Sequence, residues 1–333
     1  MQNSKTATSH QEAQPLVTFI VTFYNFPVQM LCECINSILA LSLRPFEREI
    51  IIVDDGSETS PMNGLMQYGE EIIYVRQKNG GVSEARNTAL RMAKGKYIQI
   101  VDGDDYLLQA PYEHCLDLIR YSNNLDVVLF DFTKSPTKGD SVYHDSPIQT
   151  GTDFMRQNNI HGAVCCMLFR QVARSKLLFT PGIEYGEDEE FTPQMLLRAE
   201  TIIETDAKAY FYRSRNSSAI HQQNDERKHK RLDDTMEVIL HLNHDVIMDI
   251  RKVCFESSKM TEQEKNKVIS TIRPKLRTIN KQLRQLTLAL RYTSFLDVWN
   301  ELMERAYYMN PATKHDIITR CRRQWWNNAK SVR

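Results

Sequence analysis

The stretch Lys96–Tyr106 reads K-Y-I-Q-I-V-D-G-D-D-Y and decides the fold class of this 333-residue chain. Its first half is β-branched and apolar, which predicts a short buried strand. The strand runs directly into three carboxylates, Asp102, Asp104 and Asp105, which are separated by one glycine. Carboxylates this close repel one another unless water, a proton or a cation compensates their charge, and all-oxygen ligands favour Mg²⁺ or Mn²⁺. An acidic Asp-Gly turn without a ligand is the alternative that this stretch alone leaves open.

Three earlier stretches repeat the same arrangement of a strand followed by polar residues. Apolar runs predict strands at Leu16–Phe23, Ile50–Val53 and Tyr74–Arg76. A polar cluster follows each of them, at Tyr24-Asn25, Asp54-Asp55 and Asn79-Gly81. Helical spacing predicts intervening helices over 28–43 and 83–94, the second ended by Gly95. This order builds a mostly parallel sheet flanked by helices, and ligands of such sheets gather at the carboxyl ends of the strands. The polar clusters therefore predict one site at that edge.

Later stretches predict further strands and a second acidic cluster. Apolar patterning indicates strands at Leu125–Phe132 and Ala207–Arg213. Between them, Pro181–Glu190 reads P-G-I-E-Y-G-E-D-E-E and leads into a predicted helix. Carboxylates at a helix N-terminus also compensate the helix dipole, so this cluster alone does not establish a site. From about Asp225 strand patterns stop, which predicts an α-helical C-terminal region over 225–333.

Composition and charge exclude several classes of protein. Hydrophobic residues make up 41% of the chain and charged residues 25%, as in an ordinary globular protein. The seven cysteines follow neither zinc-ligand nor C-x-x-C spacing, which predicts reduced thiols in a cytoplasmic protein. No apolar run reaches the roughly 18 to 20 residues of a membrane span. Residues 1–14 predict a disordered start rather than a signal peptide.

The charge is unevenly distributed along the chain. From Asp225 onward there are 22 Lys and Arg against 14 Asp and Glu, so the front is acidic and the back basic. The acidic front argues against a nucleic-acid ligand. Cationic and aromatic residues are mixed near the C-terminus, at Arg320, Arg322, Arg323, Trp325 and Trp326. This mixture is compatible with peripheral contact with the inner face of a membrane, but the favoured interpretation is that these helices pack on the rest of the chain or on a second subunit. The oligomeric state stays open.

Five motifs in order resemble those of glycosyltransferase family 2: F-Y-N, V-D-D-G-S, N-G-G-V-S-E-A-R-N, V-D-G-D-D and G-E-D-E-E-F. The resemblance covers about residues 16–218. It implies a GT-A (Rossmann-like) domain over 15–224, with a nucleotide-binding half at 15–110 and an acceptor half at 111–224. It also implies a divalent metal (Mn²⁺ or Mg²⁺) and inverting transfer from a nucleotide-sugar donor, usually a UDP-sugar. The acceptor would be a saccharide or lipid-linked, in the assembly of a bacterial surface polysaccharide.

The resemblance also implies roles for individual residues. Asp188 would be the general base, with Glu187, Glu189 and Glu190 as rivals. Asp104 would contact the metal. The nucleotide would be bound by Phe23, Tyr24, Asp55, Arg86 and Asp102. The stretch after the last strand would cover the diphosphate or complete the metal shell through Arg213, Arg215 and His221, and solvated loop residues are the alternative.

Two other functions fit parts of this pattern. A nucleotidyltransferase also uses a metal on an α/β sheet, but neither G-x-x-x-x-G-K-[ST] nor G-x-G-x-x-G occurs in the chain. A non-catalytic nucleotide-binding or scaffold protein would keep the fold, and the intact acids in both clusters argue against it. The chain also has Thr22-Phe23 where related sequences often have a proline before Y-N, which bears on the shape of the nucleotide pocket.

Overall fold

The computed structural model describes residues 14–122, 124–135, 142–158 and 162–214, together with 230, 234, 237, 238 and 241. The chain separates into two compact units, one of Met1–Ile183 with Glu187–Ser218 and the other of Glu184–Gly186 with Ala219–Arg333. The predicted helical region over 225–333 and its basic C-terminus lie almost entirely outside the described residues. Among the residues that are described, no helix is both long and apolar enough to cross a membrane.

Strands and helices alternate along the first unit. The strands are β1 (Val17–Phe23), β2 (Arg48–Asp54), β3 (Ile73–Arg76), β4 (Tyr97–Asp102), β5 (Tyr106–Leu107), β6 (Val127–Thr133), β7 (Met167–Arg170) and β8 (Ile202–Phe211). The α-helices are α1 (Val28–Leu39), α2 (Met62–Leu65), α3 (Val82–Met92), α4 (Gln109–Tyr121), α5 (Gly151–Gln157), α6 (Gln171–Arg174) and α7 (Glu187–Arg198). Short 3₁₀ turns lie at Pro45–Glu47, Met66–Glu71 and Val164–Cys166.

The strands form one sheet in the order β3-β2-β1-β4-β7-β6-β8-β5. The first four strands of this order pair in parallel. β7 runs antiparallel to both β4 and β6, whereas β8 is parallel to β6. The predicted parallel arrangement is therefore correct for the front half, and β7 makes the sheet mixed beyond it. The β1 and β2 residues are almost all buried, which explains why their sequences are apolar without alternation.

The strand register brings the carboxyl ends of β1, β2 and β4 to one edge. Phe23 is paired with Asp54, and Thr22 is paired with Asp102. The next residue, Gly103, donates its backbone N–H to the Thr22 carbonyl over 3.1 Å. A Cβ at Gly103 would lie 2.6 Å from that carbonyl oxygen, so the glycine of D-G-D-D permits a close approach to β1. The acidic turn, Asp102–Asp105, is thereby held against the end of β1.

The sheet is covered on both faces. On one face α1 and α4 bury apolar residues that include Leu31, Ile35, Tyr112 and Leu116. On the other, α3 and α7 bury a set that includes Ala85, Ala89, Phe191 and Leu196. Full burial of one large apolar side chain stabilises a fold by about 1.5–3 kcal/mol. The two layers fix the strand ends, and with them the polar clusters.

Three predicted boundaries are wrong. The helix predicted over 83–94 is α3, which ends at Met92, with Ala93 and not Gly95 as its C-cap. A Cβ at Gly95 would lie 2.4 Å from the backbone nitrogen of Thr18, so Gly95 serves the packing of the chain against β1. The helix predicted over 28–43 ends at Leu39. The strand predicted at 207–213 is β8, which begins at residue 202, where buried and exposed residues alternate.

Candidate active site

Asn25 joins the first two polar clusters. Its backbone N–H donates to the Ser57 hydroxyl over 3.2 Å, and its Oδ1 accepts from the backbone N–H of Glu58 over 2.9 Å. Asn25 has a φ of 50°, which asparagine tolerates better than most residues. Of the two aromatic residues predicted to line a nucleotide pocket, Phe23 is 2% exposed and Tyr24 is 51% exposed. Tyr24 is therefore the more accessible of the two to a ligand.

Asp55 joins the second cluster to the third. Its Oδ1 accepts hydrogen bonds from Gln77 Nε2 over 2.8 Å and from the backbone N–H of Gly80 over 2.9 Å. Its Oδ2 accepts from the backbone N–H of Gly81 over 2.8 Å. Gly81 is the N-cap of α3 and has a φ of 85°. The Asp55 carboxylate thus holds the start of α3 at the end of β2, and its predicted contact with a nucleobase stays a prediction.

The buried face of α3 carries Ser83, Arg86 and Asn87, whose spacing places them on one side of the helix. The Ser83 hydroxyl donates to the Ile183 carbonyl over 3.2 Å. Asn87 donates to the Phe179 carbonyl and accepts from the Phe179 N–H, both over 2.8 Å. The motif S-E-A-R-N therefore anchors the chain that precedes α7, about 90 to 100 residues later.

Arg86 connects the two acidic clusters. Its Nη2 lies 3.0 Å from Asp102 Oδ1, while its Nη1 lies 2.7 Å from Asp188 Oδ1 and 3.0 Å from Glu187 Oε1. The Arg86 side chain is 3% exposed, and its guanidinium carbon lies 5.2 Å from the centre of the Phe179 ring. One cation faces three carboxylates, so the cluster keeps a negative charge.

The pKa values of this cluster reflect burial together with the excess of acid. Burial alone would lower the pKa of Arg86, but the charges of Asp188, Asp102 and Glu187 raise it well above its usual value. Burial raises the pKa of Asp188, and Arg86 offsets only part of that rise. Burial and the charge of Asp188 likewise raise the pKa of Glu187. Arg86 stays protonated, whereas Asp188 and Glu187 are more basic than ordinary carboxylates.

The raised pKa of Glu187 predicts a pH-dependent stability. The folded protein binds more protons than the unfolded chain between the ordinary and the raised pKa, so the free energy of unfolding falls as pH rises through that window. We expect Glu187→Gln to reduce the loss of stability between about pH 5 and about pH 8 by at least about 1 kcal/mol. Urea unfolding followed by circular dichroism at both pH values measures it. An equal loss in wild type and variant would contradict the prediction.

Asp105 anchors the acidic turn from within. It is 2% exposed and accepts hydrogen bonds from the Tyr210 hydroxyl over 2.8 Å and from the backbone N–H of Arg213 over 2.7 Å. Burial and the charges of Asp102 and Asp104 raise the pKa of Asp105 to about 7, although the two hydrogen bonds lower it. The turn therefore gathers the negative charge of Asp102 and Asp104 beside a buried third carboxyl group.

That charge fits a divalent cation bound together with a ligand. No cluster of three or more His, Cys, Asp and Glu side chains that could hold a metal occurs within the part of the chain that the structure describes. Mg²⁺ commonly takes only one or two protein carboxylates and completes its shell with water and phosphate oxygens. Asp104 is partly exposed and the Asp102 side chain is 33% exposed, so neither carboxylate is sealed from solvent.

Arg213 packs on the acidic turn. Its Nε donates to the Asp104 carbonyl over 2.9 Å, its Nη2 pairs with Glu33, and its guanidinium lies over the Tyr106 ring at 5.6 Å. Its predicted contact with a diphosphate stays a prediction. Arg215 and His221 lie outside the described residues.

Residues 18–178 match the family model for glycosyl transferase family 2. These residues belong to glycosyltransferase family 2. The chain is 30% identical to the uncharacterized glycosyltransferase EpsJ of Bacillus subtilis over 61% of this chain and 62% of that protein. It is 26% identical to the poly(ribitol-phosphate) beta-glucosyltransferase of Bacillus spizizenii, over 59% of this chain and 32% of that protein. The chain thus spans less than two thirds of the length of these curated relatives.

A solved structure shares the fold. Residues 1–349 of TarS from S. aureus, solved in complex with UDP-GlcNAc, superpose with a TM-score of 0.59 at 19% identity, over 87% of this chain and 91% of that chain. The predicted GT-A fold class of the family 2 domain is confirmed. The sequence did not predict two features of the site. These are the hydrogen bonds between Asn87 and the Phe179 backbone, and the hydrogen bond from Tyr210 to Asp105. Only the first had a signal, since Asn87 lies one turn beyond Ser83 on the same face of α3.

Proposed function

We propose that this chain is an inverting, metal-assisted glycosyltransferase that moves a sugar from a UDP-sugar to a saccharide or lipid-linked acceptor during assembly of a bacterial surface polysaccharide. The observation that carries the proposal is the Arg86 bridge between Asp102 and Asp188. Asp102, in the acidic turn, and Asp188, on α7, lie on either side of the Arg86 guanidinium. Asp188 is the basic carboxylate that the reaction needs. The UDP-GlcNAc complex of TarS and the named activity of the Bacillus spizizenii relative support a UDP donor and a surface polymer.

The donor would lie across the carboxyl ends of β1, β2 and β4. Asp55 and Tyr24 would bind the nucleobase and Asp102 the ribose. Asp104 would hold a divalent cation on the diphosphate. When bound, such a cation supplies Lewis-acid stabilisation of the negative charge that gathers on the leaving diphosphate. The three carboxylates within Asp102–Asp105 support a cation at this turn.

Asp188 would accept the proton of the acceptor hydroxyl. The acceptor oxygen forms a bond to the anomeric carbon as the bond from that carbon to the diphosphate breaks, and attack opposite the leaving group inverts the configuration. Asp188 Oδ1 is held by Arg86 over 2.7 Å, and Asp188 also accepts the backbone N–H of Val164. Its raised pKa suits proton uptake near neutral pH. Glu187, on the same guanidinium nitrogen, is the rival base.

Release of UDP from UDP-glucose, UDP-galactose and UDP-GlcNAc tests the proposal. We expect one donor to release UDP in the presence of Mn²⁺ or Mg²⁺ and not with EDTA, and Asp104→Asn to lower the rate at least about 100-fold. Asp117→Asn is the matched control, because this carboxylate on α4 is 54% exposed and pairs only with Arg120 on its own helix among the described contacts. Release from no donor, or release that neither EDTA nor Asp104→Asn affects, would overturn the proposal.

A further inference from the structure

A pocket separate from the candidate active site lies between β6, β8, α5 and α7. Its volume is about 500 Å³, which is within the usual range of small-molecule sites. None of its lining residues belongs to the acidic turn or to the Arg86 cluster. Buried apolar side chains form its floor: Phe130, Phe154, Cys166 and Leu196. Exposed carboxylates at its rim include Asp131, Glu204 and Asp206.

Thr192 contributes a buried hydroxyl group to the lining of this pocket. The residue lines the pocket and is only 2% exposed. Its hydroxyl has no hydrogen-bond partner among the residues that the structure describes. Buried hydroxyls are bonded in the large majority of native structures, because leaving one unpaired costs free energy. A rotation of the Thr192 side chain toward the pocket would let a ligand hydroxyl supply the missing partner.

The carboxylates at the rim of the pocket disfavour negatively charged ligands. Asp206 pairs with His144 over 2.9 Å, and Asp131 lies close enough to Glu204 that its charge, after burial, raises the pKa of Glu204. Carboxylates accept hydrogen bonds from hydroxyl groups and repel phosphate and carboxylate groups. An apolar floor with hydroxyl-accepting groups at its edge suits a sugar ring, whose C–H face is apolar and whose rim carries hydroxyls.

The pocket shares two elements with the candidate base. On α7, Thr192 follows Asp188 by four residues, so both lie on one face about 6 Å apart along the helix axis. The 3₁₀ turn Val164–Cys166 gives Cys166 to the pocket, and its Val164 N–H bonds to Asp188. A ring in the pocket would therefore belong to a molecule that reaches the base.

We propose that this pocket binds an uncharged saccharide ring of the acceptor, with the Thr192 hydroxyl bonded to a ring hydroxyl and the apolar face of the ring packed on Phe130 and Phe154. The description of the ring as part of the acceptor rests on the proposed function. The pocket would exclude a phosphate-bearing or acidic sugar, so this chain would differ in its acceptor from enzymes that act on polyol phosphates.

A glycan array of neutral, amino, phosphorylated and uronic-acid glycans, followed by titration of the best ligand, tests the inference. We expect neutral glycans to bind, and Thr192→Val to weaken binding about tenfold, the worth of one neutral hydrogen bond. Val keeps the shape of Thr, so the fold is preserved. Thr152→Val is the matched control, because it makes the same change on α5 at a residue that does not line the pocket.

A second variant tests the role of the rim. Asp131→Asn with Glu204→Gln is expected to raise the binding of acidic glycans relative to neutral ones. Binding of no neutral glycan, binding that Thr192→Val leaves unchanged, or a preference for phosphorylated or cationic glycans in the wild type would overturn the inference. UDP release in the same samples keeps the two proposals apart: glycan binding without release contradicts the transferase, and release without glycan binding contradicts the pocket.

Discussion

Asp188→Asn is expected to lower the kcat of sugar transfer by about 10²–10⁴-fold, the usual contribution of a positioned general base. Asparagine has nearly the same shape as aspartate and keeps an oxygen for the Arg86 and Val164 contacts, but it accepts no proton at neutral pH. The loss should appear in kcat rather than in the affinity for UDP, because Asp188 would act on the acceptor. Steady-state kinetics with a saturating donor, together with UDP titration, separates the two effects.

Glu187→Gln is the matched comparison for Asp188→Asn. Both carboxylates contact the same Nη1 of Arg86, at 3.0 Å and 2.7 Å, and both lie in the first turn of α7. If Asp188 is the base, Glu187→Gln should keep most of the activity. A large loss in Glu187→Gln with near-normal activity in Asp188→Asn would assign the base to Glu187, and losses below about tenfold in both would remove the base from this cluster.

Arg86→Met is expected to lower the free energy of unfolding by about 3–5 kcal/mol, as for other buried ion pairs that lose one partner. Methionine fills much of the arginine volume, so the main change is electrostatic. Three carboxylates that now share one guanidinium would face one another without a cation: Asp102, Glu187 and Asp188. Urea unfolding followed by circular dichroism measures the change.

Two controls test the electrostatic origin of this loss. Arg91→Met makes the same change on α3 at a side chain that is 51% exposed and pairs with Glu84, so it should cost less than about 1 kcal/mol. Without Arg86 the folded state should bind more protons than the unfolded chain at neutral pH, so Arg86→Met should regain stability as pH falls. A cost equal to that of Arg91→Met, or a cost that does not change with pH, would contradict the account.

The sequence predicts the edge of the sheet that carries the polar clusters because the residues that indicate it are close together in the chain. Each front strand is an apolar run that ends in polar residues, and parallel strands place those ends together. The contacts between Asn25 and Ser57, and between Asp55 and Gly81, then join neighbouring clusters. The structure therefore confirms that neighbouring polar clusters meet at this edge, as the predicted parallel sheet implies.

The partners of Arg86 are beyond what the sequence can predict. Helical spacing places Ser83, Arg86 and Asn87 on one face of α3, but apart from Asp102 their partners lie about 90 to 100 residues later in the chain. No local pattern specifies which of the many later acids meets a given arginine. The antiparallel strand β7 was missed for a similar reason, since a short apolar run does not reveal the direction in which it pairs.

The central claim is that the acidic turn holds a metal-bound nucleotide diphosphate, and calorimetric titration of UDP with and without Mn²⁺ tests it most directly. Wild type, Asp104→Asn and Asp188→Asn would be compared. The account predicts Mn²⁺-dependent UDP binding that Asp104→Asn weakens at least about 100-fold and that Asp188→Asn retains. UDP binding of equal strength without Mn²⁺, binding unaffected by Asp104→Asn, or no binding at all would contradict it.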